Sequence, residues 1–188
     1  WESRLRTGRP SVRRSSSGFP ESETDVNIAA DWGFHRAARW DFDGSGRQHL
    51  VVGTDKGLLY LLVDDAGEAA GPPARFRSVG PLRDVRGEVI RLHNRACAAG
   101  VDLNGDGRED LVAGGVTYQM GLETDPAPGG GIYSILNLGV GADGLPRLEA
   151  PQPLVIRGYA FPLAVNQHVQ IQALDLDGDG AKEVVIAA

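Results

Sequence analysis

Hydrophobic residues in this chain come in short runs, separated by clusters of Gly, Pro, Asp and Asn, and the runs carry no helical period. Leu50 to Thr54, Leu58 to Val63, Leu111 to Tyr118, Ile132 to Leu138 and Glu183 to Ile186 are β-prone and bounded by turn residues. Arg36 to Trp40, Val89 to Val101 and His168 to Leu174 read as three further strands, each ending at an acidic turn. Asp55-Lys56-Gly57 has the composition of a short hairpin turn. Asp64 to Gly67 turns again, and Ala69 to Asp84 reads as a Pro-rich connection. Met120 to Gly131, with Asp125-Pro-Ala-Pro-Gly-Gly-Gly inside it, reads as a long loop of the kind that is either functional or disordered. The pattern predicts an all-β chain.

The acidic turns share one spacing. Val101 to Gly115 begins with Asp102, Asn104, Asp106 and Asp110 at loop positions one, three, five and nine, with Gly107 at six and the Arg108 carbonyl at seven. Asp175, Asp177, Asp179 and Glu183 repeat this, with Gly180 at the bend and the Ala181 carbonyl at position seven. Asp41, Asp43 and Gly46 form a third version, in which Ser45 and His49 stand where acids are expected. Carboxylates and carbonyls at this spacing wrap a hard cation, Ca²⁺. An EF-hand would add a bidentate Glu at position twelve and flanking helices. Position twelve is Val52, Ala113 and Ile186, and β-prone runs follow each loop. The ion is therefore expected in a turn between strands.

Asp102-Leu-Asn-Gly-Asp-Gly-Arg-Glu-Asp-Leu-Val and Asp175-Leu-Asp-Gly-Asp-Gly-Ala-Lys-Glu-Val-Val resemble FG-GAP/VCBS repeats, the calcium-loop blades of integrin α-chain heads and many bacterial secreted proteins. The resemblance covers the chain from about Ala29 onward. It implies a β-propeller, each blade an antiparallel sheet with Ca²⁺ clipped into one turn. Blades are expected near 27–84, 85–160 and 161–188, the last incomplete, after a basic, Ser-rich lead-in at 1–26. Loop starts lie 61 and 73 residues apart. Three blades do not close a ring, since propellers have about four to eight. The remaining blades of a longer chain are thus expected partners.

Composition narrows the function classes. A net charge of −6 and a pI near 5.2 argue against a nucleic-acid binder, and much of the acid is committed to the loops. No apolar run has the length of a membrane span. The single cysteine, Cys97, allows no internal disulfide and has the apolar neighbours of a buried thiol. Loops without the bidentate Glu bind calcium weakly, which suits the millimolar calcium outside cells, so an extracellular or cell-surface location is expected.

Three of the four histidines precede a loop by similar distances. His35 lies 6 residues before its loop, His93 lies 9 and His168 lies 7. Each has polar company, in Arg36, in Asn94 and Arg95, and in Asn166 and Gln167. On a propeller the entering strands are innermost, so these side chains would meet at one mouth of the central channel. Two functions follow. The first is a calcium-stabilised binding module whose His/Arg-lined face takes a carbohydrate or anionic ligand. The second is a polysaccharide lyase acting by β-elimination on a uronic-acid polymer. There Arg95 or Arg36 would neutralise the carboxylate, His93 or His168 would take the proton, and Tyr118 would supply the acid. An integrin-like adhesion module is a third reading.

Overall fold

A computed structural model describes residues 36–64, 76–116, 130–154, 164–165 and 169–187. Those residues form an all-β structure of several antiparallel sheets, none closed on itself. The first is a four-stranded meander in sequence order: β1 (Arg36–Trp40), β2 (His49–Gly53), β3 (Leu59–Asp64) and β4 (Phe76–Pro81). The acidic turn at 41–48 joins β1 to β2, and Trp40 pairs with His49 across it. The hairpin at Asp55-Lys56-Gly57 closes through the Thr54 amide on the Leu58 carbonyl, with Gly57 at φ 80°.

The stretch expected to be a connection contains β4. Gly80 and Pro81 disguise it, yet both are tolerable on an edge strand, where one row of backbone groups has no ladder partner. A register shift between Leu61 and Leu62 accommodates Gly80 at φ 113°.

The second sheet is built on β5 (Asn94–Val101), β6 (Asp110–Val116) and β7 (Gly130–Ile135), with β10 (Gln152–Pro153) beside β7. Between β7 and β10 the chain makes a small hairpin, β8 (Asn137–Val140) with β9 (Pro146–Leu148). β11 (Ala164–Val165), expected in the third unit, pairs with β7 and so belongs to the second. The strand expected over Val89 to Val101 begins only at Asn94. Val89 and Arg91 make isolated bridges, and Arg95 at φ 57° marks a bulge before Cys97. The third sheet is the pair β12 (Gln170–Leu174) and β13 (Glu183–Ala187), joined by the last acidic turn.

Two apolar layers fasten the sheets face to face. The first packs Trp40, Val51, Leu59 and Leu61 of the first sheet, with Phe42 of its acidic turn, against Ala96, Ala98, Leu111, Ala113 and Ile135 of the second. The second packs Cys97, Ala99, Val101, Val112 and Ile132 against Ile171 of β12 and Val169 just before it. Alternation explains both layers. In β5, Ala96 and Ala98 face the first sheet while Cys97 and Ala99 face the third, so this central strand is buried on both sides and reads as a run of small residues. No helix among the described residues is long and apolar enough to cross a membrane.

Candidate functional site

The acidic turns fold alike. In the second, the Asp102 carboxylate accepts from the amides of Gly105 at 2.7 Å and Gly107 at 2.8 Å. In the third, Asp175 accepts from Gly178 at 2.7 Å and Gly180 at 3.0 Å. In the first, Asp41 accepts from Ser45 at 3.1 Å and Gly46 at 2.8 Å. Two glycines with positive φ, at positions four and six, make this curl possible each time: Gly44 and Gly46, Gly105 and Gly107, Gly178 and Gly180. Position nine closes the loop. Asp110 accepts from the Leu103 amide at 3.0 Å, and Glu183 from the Leu176 amide at 2.8 Å, in both cases the second residue of the turn.

The loops differ in what balances their charge. In the third, oxygens of Asp175, Asp177 and Glu183 lie within 4.8 Å of one another. One ion with oxygen ligands at about 2.3–2.6 Å bridges such a gap, and the donors are all hard oxygen. Among the described residues only this turn gathers three metal-ligating side chains so closely. In the second loop Asn104 replaces one acid, and the Arg108 guanidinium sits 2.5 Å from Asp106. Burial pushes the Asp110 carboxyl up, and the neighbouring Asp106 and Asp102 charges push the same way. The Asp102 carboxyl is held down, chiefly by the Gly107 amide.

The first loop supplies its own partners for the acids. Arg47 is 3.4 Å from Asp43, and His49 Nε2 is 3.5 Å from the same carboxylate oxygen. His49 Nδ1 accepts from the Asp64 amide at 3.1 Å, so in the neutral ring the proton is on Nε2, facing Asp43. A ring so oriented opposes a metal at Nε2. Burial alone would raise the Asp43 carboxyl, but hydrogen bonds from the Ser45 hydroxyl and amide, one shared with Asp41, and the nearby His49 bring it to about 2.

Position eight ties the loops together, a role that the spacing of acids does not announce. Glu109, at position eight of the second loop, accepts from the Asp41 amide at 2.8 Å, and its own carbonyl accepts from Trp40 Nε1 at 2.9 Å. Lys182, at position eight of the third, pairs with the Glu109 carboxylate and lies 3.4 Å from the Gly100 carbonyl. Gly100 leaves the space for this. A Cβ there would meet Glu109 Oε2 at 2.7 Å and Trp40 Cδ1 at 2.8 Å. Asn137 adds a second tie, donating from Nδ2 to the carbonyls of Phe42 at 2.8 Å and Glu109 at 3.1 Å.

The three strands that run into the loops, β1, β5 and β12, line an open groove of about 840 Å³. Its polar side chains are Arg36, Arg39, Gln48, Gln170, Gln172 and Lys182, and among the described residues that line it there is no carboxylate. Arg36 Nη1 is buried with no hydrogen-bond partner among the described residues. The thiol of Cys97, on the same wall, is pushed up by burial, partly offset by the Arg36 charge.

Of the residues singled out by sequence, Arg36 is in this groove. His93, Asn94 and Arg95 are not among its lining residues. His93 is buried and its Nε2 meets the Tyr133 hydroxyl at 3.0 Å, while Arg95 faces Asp55 at 3.5 Å. His35, Tyr118, Asn166, Gln167 and His168 lie outside the described residues. Arg39, Gln48, Gln170, Gln172 and Lys182 line the groove without a histidine to mark them, and their signal in the sequence is a polar residue along each entering strand or at position eight. No protein-family model, no curated protein and no solved structure matches the chain.

Proposed function

We propose that this chain is part of a calcium-stabilised β-propeller of the FG-GAP/VCBS kind that binds an anionic carbohydrate in the groove between β1, β5 and β12. The observation that carries the reading is the groove itself: in a chain of net charge −6, its lining is cationic and amide-bearing, with a buried Arg36 nitrogen unpartnered among the described residues. A guanidinium matches a carboxylate in geometry and charge. Gln170 and Gln172 offer amide donors and acceptors that suit sugar hydroxyls. The turns support the other half of the reading. Asp175, Asp177, Asp179, Glu183 and the Ala181 carbonyl would hold Ca²⁺, as would Asp102, Asn104, Asp106, Asp110 and the Arg108 carbonyl. Asp41 and Asp43 are served by Arg47 and His49 and make a poor site. Weak calcium loops of this kind fit an extracellular or cell-surface setting.

The test is calorimetric titration with a hexameric oligogalacturonate in millimolar calcium. Binding is expected, with Arg36→Ala and Arg39→Ala each weakening it about tenfold or more, the scale of one charge-assisted contact. Absence of binding to this and to neutral oligosaccharides alike, or wild-type affinity in both variants, would overturn the proposal.

One observation favours the lyase reading, the 3.0 Å contact of His93 with Tyr133, since such a pair can move a proton. Burial of His93 weighs against it. A rise in ultraviolet absorbance from an unsaturated uronide would decide for the enzyme.

A further inference from the structure

One dipeptide in the acidic turns has a chemistry of its own. Of the chain's five asparagines, Asn27, Asn94, Asn104, Asn137 and Asn166, Asn104 alone is followed by glycine. An asparagine in that position is open to attack on its own side chain, because the next residue has no Cβ to obstruct the approach of its amide nitrogen. Asn104 and Gly105 are both exposed, and a Cβ added at Gly105 would meet nothing within 4 Å. The other described asparagines lack this setting. Asn94 precedes Arg95 and Asn137 precedes Leu138, and Asn137 is buried with its side chain committed to the carbonyls of Phe42 and Glu109.

The second turn also readies the groups that would react. The Gly105 amide, the nucleophile, donates to Asp102 Oδ1 at 2.7 Å, so a carboxylate is in place to receive its proton. The Asn104 side chain is held by Asp106, whose amide donates to Oδ1 at 3.0 Å and whose Oδ2 accepts from Nδ2 at 3.1 Å. Both bonds are exposed, so they open at low cost and let the side chain turn onto the Gly105 nitrogen.

We infer that Asn104 is a site of spontaneous deamidation and, resting on the calcium reading of this turn, that a bound ion holds the reaction off. The Gly105 nitrogen forms a bond to Asn104 Cγ, the Cγ–Nδ2 bond breaks, and ammonia leaves with the proton of the amide. Water then opens the cyclic imide, and no other reactant is needed. Opening at Cγ restores the normal backbone with a carboxylate at position three, where the first and third turns carry Asp43 and Asp177. The second turn then has acids at the same positions as the third, and a higher ligand charge tightens the hold on calcium. Opening at the backbone carbonyl routes the chain through Cγ instead. That adds one atom between Asp102 and the Gly105 and Gly107 amides that its carboxylate gathers, and it undoes the curl. An ion coordinated by Asn104 Oδ1 pins the side chain away from the Gly105 nitrogen, so only the empty turn reacts. A period without calcium is thus recorded covalently, dividing the chains into a tighter form and an ion-free one.

For the test, the whole chain is incubated at mildly alkaline pH, in chelator and in calcium at about ten times the dissociation constant that calorimetry gives. Digestion and mass spectrometry then read the conversion of each asparagine. Asn104 is expected to convert well ahead of the other four, and calcium to slow it about tenfold, because reaction is confined to the empty fraction. Asn104→Gln, whose longer side chain closes a ring far less readily, should stay intact. Asn104→Asp should bind calcium about tenfold more tightly, the scale of one added charged ligand. Conversion of Asn104 no faster than of Asn94 overturns the inference. So do equal rates with and without calcium when calorimetry shows the second turn filled. Calorimetry of Asp106→Ala against the parent reports whether that turn holds an ion at all. If it holds none, the calcium reading fails by itself, and the comparison of Asn104 with Asn94 in chelator still decides the modification.

Discussion

Replacing Glu109 is the sharpest test of how the sheets are held in register. The side chain is four-fifths buried, 19 % exposed, and does two things at once: it accepts the Asp41 amide at 2.8 Å and pairs with Lys182. Glu109→Ala leaves that amide without its charged acceptor, a loss of about 1.5–3 kcal/mol. The ion pair adds less. Lys182 is 38 % exposed, so solvent screening holds its share below about 1 kcal/mol. The sum is about 1.5–4 kcal/mol. At about 2–4 °C per kcal/mol for a domain of this size, the melting temperature should fall by about 3–16 °C. Glu109→Gln keeps an acceptor for the amide and gives up only the charge, so it should lose about 1 kcal/mol. In the Glu109→Ala background Lys182→Met should cost only its contact with the Gly100 carbonyl, and a double-mutant cycle should give a coupling of about 0.5–1 kcal/mol. Thermal melts in calcium measure the parent and all four variants. A Glu109→Ala variant that melts within a degree of the parent, or a Gln variant as weak as the Ala one, would refute the latch.

Asp177→Asn removes one of the three converging carboxylates of the third loop, and it should shrink the rise in melting temperature on adding calcium while leaving the melt in chelator unchanged. Equal loss in chelator would show that the loop holds no ion. Arg47→Ala removes a cation from the first loop, and in chelator it should lower stability by up to about 1 kcal/mol, as for an exposed pair; no change would remove Arg47 from the account. Asp84 provides a pH test. Burial alone would raise its carboxyl, but the Arg86 side chain and the amides of Arg86 and Glu88 hold it below the ordinary 3.8. Its contribution is therefore present above 3.8 and is lost as pH falls through the lower folded value. The stability gap between the parent and Asp84→Asn should be constant near neutrality and close below pH 3.8 in acid melts; a gap that widens there would contradict the assignment.

The loops were legible because their chemistry is demanding. Acids at alternate positions, with glycines at four and six, fit few backbones, and the strands on either side follow from two-residue alternation. The β4 edge was not, since Gly80 and Pro81 break the alternation that a paired strand keeps and an edge does not need. The histidine phase failed to locate the groove at His93 for a related reason. Counting back from the loop assumes an unbroken strand, and the bulge between Asn94 and Cys97, with Arg95 at φ 57°, shifts which face each earlier side chain takes. Position eight was hidden because Gln48, Glu109 and Lys182 share no residue type. Only their place in the fold makes them equivalent.

That shared place links the two halves of the proposed function. Lys182 immediately precedes Glu183, whose carboxylate closes the third loop, and Lys182 also lines the groove. Gln48 stands in the same relation to His49 and lines the groove from the first loop. A loop that curls around an ion fixes the backbone on which the groove's cation stands, so ordering the loop should improve ligand binding. Linkage then requires the reverse, by the same factor. Oligogalacturonate affinity in chelator and in calcium should differ by a ratio equal to the shift in calcium affinity on saturating the ligand, both read by calorimetry, with typical couplings about 5-fold or more. The ratio should collapse toward one in Lys182→Met, which keeps the loop's acids and loses the shared side chain. An undiminished ratio in that variant would mean that calcium acts on the ligand through the carboxylates alone, with Lys182 a bystander.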